Sequence, residues 1–268
     1  MQAETKNIGN EINLSPIVIT VCSGKGGVGK SVLVANIAST LAKNAKVLIW
    51  DTNIQFPNMH LIVGVEPPVR LNEVYNGRLQ ASVAVFHVTE NLCILSASSA
   101  CTNSDMPEEA QVIRVFEELI NTTDFDYIIL DTAAGISEDN MQCCMISDII
   151  LLTVTDEPTA MIDAYGLVKI LRNKIDTKKI NLLVNNVIDE EDANEIVTKF
   201  NLVTRKFLDI EVKNLGYVPY ERAIRQSIIK QEIFIDTMAE SEAGRAIVEI
   251  ANSIKTFAGN NACVEMSV

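Results

Sequence analysis

An apolar run, Ile17–Cys22, passes directly into Ser23-Gly24-Lys25-Gly26-Gly27-Val28-Gly29-Lys30-Ser31, and a helix-period segment over residues 31–42 follows at once. No other stretch constrains the fold as strongly. Four glycines among residues 24–29 are poorly suited to the interior of a helix or strand, because ordering glycine loses the most backbone entropy. They suit a tight loop whose N–H groups converge on an anion. The helix after the loop adds free N–H donors and partial positive charge at its N-terminus. The segment SVLVANIASTLA is apolar almost all round, so the helix is expected to be buried.

Further short apolar runs recur at residues 46–51, 92–96, 127–131, 149–154, 181–185 and 215–218. Most are continuous rather than alternating, the pattern of strands covered on both faces. Helix-period segments lie between them at 108–120, 160–172, 191–200, 221–230 and 240–257. Alternating β and α predicts an α/β fold: a doubly wound, mostly parallel sheet with helices on both faces. With no long linker or repeat, one domain is expected over 16–257, with a short polar extension before it (1–15) and an acidic tail after it (258–268).

The loop fits G-x-x-x-x-G-K-[ST] in full. Gly24, Gly26, Gly27, Val28 and Gly29 would surround phosphate oxygens, Lys30 would bridge the β and γ phosphates, and Ser31 would ligate Mg²⁺. Residues 127–131, YIILD, end in an aspartate at a strand tip, so Asp131 would be the second holder of Mg²⁺. Asn173-Lys174-Ile175-Asp176 spells the guanine-reading N-K-x-D, but it ends a helical segment and reads as a turn.

Composition excludes several classes. The net charge is −13, against bulk binding to nucleic acid or anionic lipid. No apolar run approaches the ~18–20 residues of a membrane span, and Met1–Asn13 lacks the order of a signal peptide. The six cysteines, Cys22, Cys93, Cys101, Cys143, Cys144 and Cys263, include no C-x-x-C pair for zinc or iron–sulfur ligation. They read as reduced thiols of a cytoplasmic protein, with Cys143-Cys144 as core filler.

Lys25 begins K-G-G-x-G-K-S, the deviant Walker A pattern, and here the sequence resembles the MinD/ParA family of P-loop ATPases. The resemblance implies ATP with Mg²⁺, a homodimer formed when ATP is bound, and a Lys25 that reaches the partner's nucleotide. It makes Asp131-Thr132-Ala133-Ala134-Gly135 a switch segment, with Asn185 reading adenine and the Pro219 region covering the base. Asp51-Thr52-Asn53-Ile54-Gln55-Phe56-Pro57-Asn58, Thr155-Asp156-Glu157-Pro158-Thr159 and Leu215-Gly216-Tyr217-Val218-Pro219 are similar to segments of the flagellar regulators called FlhG, FleN or YlxH. That similarity implies control of flagellar number and placement. It also implies partners such as an FlhF-like GTPase, a flagellar transcription activator or switch-complex proteins.

The chain departs from the family at Asn53, where D-x-D carries its second aspartate. An amide can bind the attacking water but cannot take its proton. Slow ATP hydrolysis is therefore expected, with Asp51 as a partial substitute; the alternative is a nucleotide-binding scaffold that does not hydrolyse. Residues 236–268 carry five acids and two bases, against a basic membrane-binding helix. No glutamine-rich activating motif precedes the loop. Ile247, Ile250, Ala251, Ile254 and Phe257 form one stripe that reads as core. A window at 199–230 holds Lys199, Arg205, Lys206, Lys213, Arg222, Arg225 and Lys230 against three acids. It leaves open weak, non-specific DNA binding of the ParA-like, cargo-positioning kind.

Overall fold

The computed structural model describes residues 15–69, 71–96 and 107–265. The N-terminal extension up to residue 14, Cys101 and the last three residues lie outside them.

Strand β1 (Ile17–Cys22) leads through the glycine loop into α1 (Lys30–Ala42) and β2 (Val47–Asp51). Three short helices follow, α2 (Met59–Val63), α3 (Leu71–Tyr75) and α4 (Ala81–Ala84), then β3 (Phe86–His87) and β4 (Leu92–Leu95). The middle of the chain is α5 (Glu109–Thr122), β5 (Tyr127–Asp131), α6 (Glu138–Ile146), β6 (Ile149–Val154) and α7 (Pro158–Leu171). It ends with β7 (Ile180–Val187), α8 (Glu190–Leu208), β8 (Lys213–Pro219), α9 (Arg222–Lys230), α10 (Phe234–Met238) and α11 (Glu242–Glu265).

The strands form one sheet in the order β3-β4-β2-β5-β1-β6-β7-β8. All pairings are parallel except β3 with β4. The expected α/β architecture is therefore present, with a two-residue antiparallel edge strand that no apolar run announces. The continuous apolar strands are buried along their whole length because their alternate side chains enter different cores. In β1, Ile19 and Val21 join the core under α1 and α11, whereas Cys22 joins the core under α7 and α8 and Val18 that beside α5.

Helix α1 is buried nearly all round, as its composition requires. In α11, Ile247, Ile250, Ala251 and Ile254 are buried and Phe257 packs against the same core. That helix continues to Glu265 instead of stopping near 257. A single glycine at 259 costs only about 1 kcal/mol relative to alanine and does not by itself end a long helix. Cys22, Cys93, Cys143 and Cys144 are buried free thiols. Burial pushes the thiols of Cys93 and Cys143 up to about 11 and about 12, so both are unreactive. The N-K-x-D letters fall in the turn after α7, where Asp176 caps a 3₁₀ turn at Thr177–Lys179. No described helix is long and apolar enough to cross a membrane.

Candidate functional site

The glycine loop sits at the carboxyl end of the central strand β1, where ligands bind in open α/β sheets. Two of its glycines, Gly24 and Gly29, are required by close approaches. A Cβ at Gly24 would lie 2.3 Å from the backbone of Asp163 in α7. Gly29 has φ +91°, and a Cβ there would also meet Asn185 Nδ2 at 2.4 Å. The Asn185 amide donates to Val28 O at 2.8 Å, so it holds the loop from the tip of β7.

Lys30, the first residue of α1, is buried and donates to Ser23 Oγ at 2.9 Å. Burial lowers its pKa, and the negative charge of Asp131 works against that shift. Asp131 ends β5 directly opposite Asp51 of β2. Its carboxyl is pushed up to about 7, by burial first and then by the charge of Asp51, while a hydrogen bond with Ser31 and the Lys30 charge oppose this. Asp131 Oδ1 is buried and has no hydrogen-bond partner. A hydroxyl and an orphaned carboxylate oxygen side by side, next to a second carboxylate, fit a divalent cation.

Asp51 accepts hydrogen bonds through both carboxylate oxygens. Its Oδ1 accepts from Asn53 N at 3.1 Å, and its Oδ2 accepts from Asn58 N, Met59 N and Ser96 Oγ at 3.0–3.1 Å. Burial still raises its pKa above the ordinary carboxylate range. Those donors make Asp51 the anchor of the segment that carries Asn53. Asn53 itself donates Nδ2 to Phe56 O at 3.1 Å, which closes the turn.

Lys25 lies apart from Lys30. Its Nζ forms an ion pair with Glu157 and donates to Thr159 Oγ1 at 2.9 Å, both at the start of α7. Gly135, with φ +90°, bonds back to Ser23 O. The segment 131–135 is clasped by Asn140 of α6, whose Nδ2 donates to Ala133 O and Gly135 O at 2.9 Å. Beside the loop opens a cavity of about 240 Å³, lined by Val28, Asn185 and Pro219 together with Tyr220, Ile224 and Arg225.

The structure thus brings the glycine loop, Lys30, Ser31, Asp51 and Asp131 together, and it places Asn185 and Pro219 on the adjoining cavity. Sequence reasoning missed Asn140, Ser96 and the cavity-lining Tyr220 and Ile224, which no motif marks, and it read Arg225 only as part of a basic window. Glu157 was visible only as part of a family-like segment. The basic window does not form one free face: Lys199 pairs with Glu195, Arg205 pairs with Glu211, Lys213 lies over the Phe257 ring, and Arg225 faces the cavity.

A parallel sheet with this loop at its central strand, a buried lysine at the helix start and an aspartate on the neighbouring strand defines a P-loop nucleotide-binding protein. The ParA family model, described as NUBPL iron-transfer P-loop NTPase, matches residues 16–255. The antiactivator FleN of Pseudomonas aeruginosa is 28% identical, over 90% of this chain and 86% of its own. The flagellum site-determining protein YlxH of Helicobacter pylori is 25% identical, over 87% and 80%. The septum site-determining protein MinD of Helicobacter pylori is 32% identical, over 84% and 86%. Among solved structures, a chain of the MinC:MinD cell division complex of Aquifex aeolicus superposes with TM-score 0.76 at 26% identity, over 90% of this chain and 96% of that one. The chain belongs to the ParA/MinD family of P-loop NTPases.

Proposed function

We propose that this protein is an ATP-dependent dimerisation switch of the FlhG kind, acting in the cytoplasm on flagellar number and placement, with slow ATP hydrolysis. The observation that carries the switch is the position of Lys25. It stands at the mouth of the phosphate loop, about one-third exposed and paired with exposed groups at the start of α7, while Lys30 already occupies the floor of the cradle. In this reading Lys30 serves the chain's own phosphates and Lys25 those presented from outside. Exposed Phe56, Ile136 and Ile162 belong to the segments surrounding the loop, and they supply apolar surface for a second copy.

In this reading the loop amides and Lys30 hold the triphosphate, and Ser31 and Asp131 hold Mg²⁺. The bound cation supplies charge neutralisation at the phosphates. Asp51 fixes the segment carrying Asn53, and Asn53 positions water without accepting its proton. Asn185 lines the base cavity and offers Oδ1 as an acceptor, which suits the exocyclic amine of adenine and not the carbonyl of guanine. The ATPase unit spans 16–257. Its partners are expected among an FlhF-like GTPase, a flagellar activator or switch-complex proteins.

The flagellar reading is supported by the similarity to FleN and YlxH, and MinD stands equally near. A deletion strain separates the two. Altered flagellar number or position with normal septa, unrepaired by a Lys25→Ala copy, is the expected result. Misplaced septa on normally flagellated cells would replace the flagellar reading with a division-site one.

A further inference from the structure

Helix α8 turns one side to the core through Ala193, Ile196, Phe200, Thr204 and Leu208. Its outward side is not the uniformly polar face expected of a surface helix. Leu202 is 69% exposed and Phe207 62% exposed, with Val203 beside them. Lys199 and Lys206 are exposed on the same face. These five residues recur at the i, i+3 and i+4 spacings that make neighbours on a helix. Lys206 Nζ lies 5.3 Å from the Phe207 ring centroid, which keeps the cation beside the apolar group.

The stripe lies at the pole of the molecule opposite the phosphate loop. The loop leaves the carboxyl end of β1. Helices α7 and α8 each start beyond the carboxyl ends of parallel strands and run back, so both end at the amino edge of the sheet. Arg172, just after α7, donates to Leu208 O at the end of α8 at 3.2 Å, so its exposed positive charge borders the stripe. In a chain of net charge −13, residues 199–206 carry three bases, Lys199, Arg205 and Lys206, and no acid. The two ion pairs described on α8, Lys199–Glu195 and Arg205–Glu211, are between exposed side chains. Pairs of that kind contribute little and exchange readily for another acid.

We propose that the outward face of α8, formed by Lys199, Leu202, Val203, Lys206 and Phe207, is a docking surface for a short acidic, amphipathic segment of another protein. The occupant must do two things at once: cover aliphatic and aromatic surface, and bring carboxylates to lysines about one helical turn apart. An amphipathic helix with Leu or Ile at i, i+3 and i+4 spacing and Asp or Glu alongside does both. A second copy fails, because a two-fold pairing of the stripe sets lysine against lysine. Nucleic acid satisfies the lysines and leaves Leu202 and Phe207 uncovered. A bilayer is served by clusters of about four to eight bases, more than this helix face carries.

A random-peptide library selected on the full-length protein tests this, with affinities of the selected peptides then measured by fluorescence anisotropy. The expected consensus is acidic and amphipathic. Binding should fall about tenfold or more in both Leu202→Ser/Phe207→Ser and Lys199→Glu/Lys206→Glu, and it should stay unchanged in Val83→Ser, an exposed apolar site on α4. Unaltered melting of each variant shows that the fold is intact; should the apolar pair fail to fold, the charge-swap pair carries the test. Absence of an enriched consensus, a basic consensus, or peptides indifferent to the charge-swap pair would overturn the proposal. So would tighter, variant-sensitive retention on phosphatidylglycerol vesicles or on duplex DNA, which would assign the face to lipid or nucleic acid.

Discussion

Asp131 carries the strongest residue-level consequence. Its carboxyl is pushed up to about 7 in the folded chain from an ordinary 3.8. Between those values the folded state holds a proton that the unfolded state has released. Raising the pH through that window therefore favours unfolding, and the nucleotide-free protein should lose stability from about pH 4 to pH 7. Melting curves across that range should show the fall, and Asp131→Asn should reduce it, leaving the part contributed by the raised carboxyl of Asp51. A cation binds only the ionised carboxylate, so stabilisation by Mg²⁺ with ATP should grow as pH rises through 7. Stability that rises over the same window in wild type would contradict the buried-carboxylate account. At Asn53 the issue is chemistry. Restoring the acid with Asn53→Asp should raise single-turnover hydrolysis, within the ~10²–10⁴ range of a positioned acid–base group. Equal rates would make Asn53 irrelevant to the speed of the enzyme.

At the scale of elements, the loop and its supports behave as one unit. Gly29→Ala introduces a Cβ at positive φ and into Asn185. ATP binding measured by calorimetry should be lost, while the core strands, buried elsewhere, keep the fold. Helix α6 follows the 131–135 segment, and the Ser137 side chain accepts from Asn140 N at its first turn. Ser137→Ala should cost about 1 kcal/mol in denaturant unfolding. No change would show that the cap is replaced by water. The major elements were legible because burial on both faces leaves an unbroken apolar run, as in Ile149–Val154, and because α1 is apolar all round. The two residues of β3 and the five-residue helices α2, α3 and α10 were not legible, since they are too short to show a period. Their form follows from tertiary packing: Phe234 and Ile235 of α10, for example, are fixed by burial against α1 and α11.

At the scale of the whole molecule, the candidate site was readable to the extent that its residues are contiguous. The loop, Lys30 and Ser31 are one segment, and Asp131 announces itself at the end of an apolar strand. Contacts across the sheet were not readable: Lys25 with Glu157, Asn185 with Val28, and Asn140 with the 131–135 segment each join residues whose letters carry no trace of the partner. These long-range contacts tie the phosphate loop to α7, β7 and α6. Nucleotide binding at the loop therefore meets the start of α7 directly, and the proposed switch requires Lys25 to leave Glu157 and reach a partner's phosphates. Mass in solution by multi-angle light scattering, with ATP, with ADP and without nucleotide, tests that claim most directly on wild type and Lys25→Ala. The account predicts a dimer only for wild type with ATP. A mass indifferent to both nucleotide and Lys25 would contradict it.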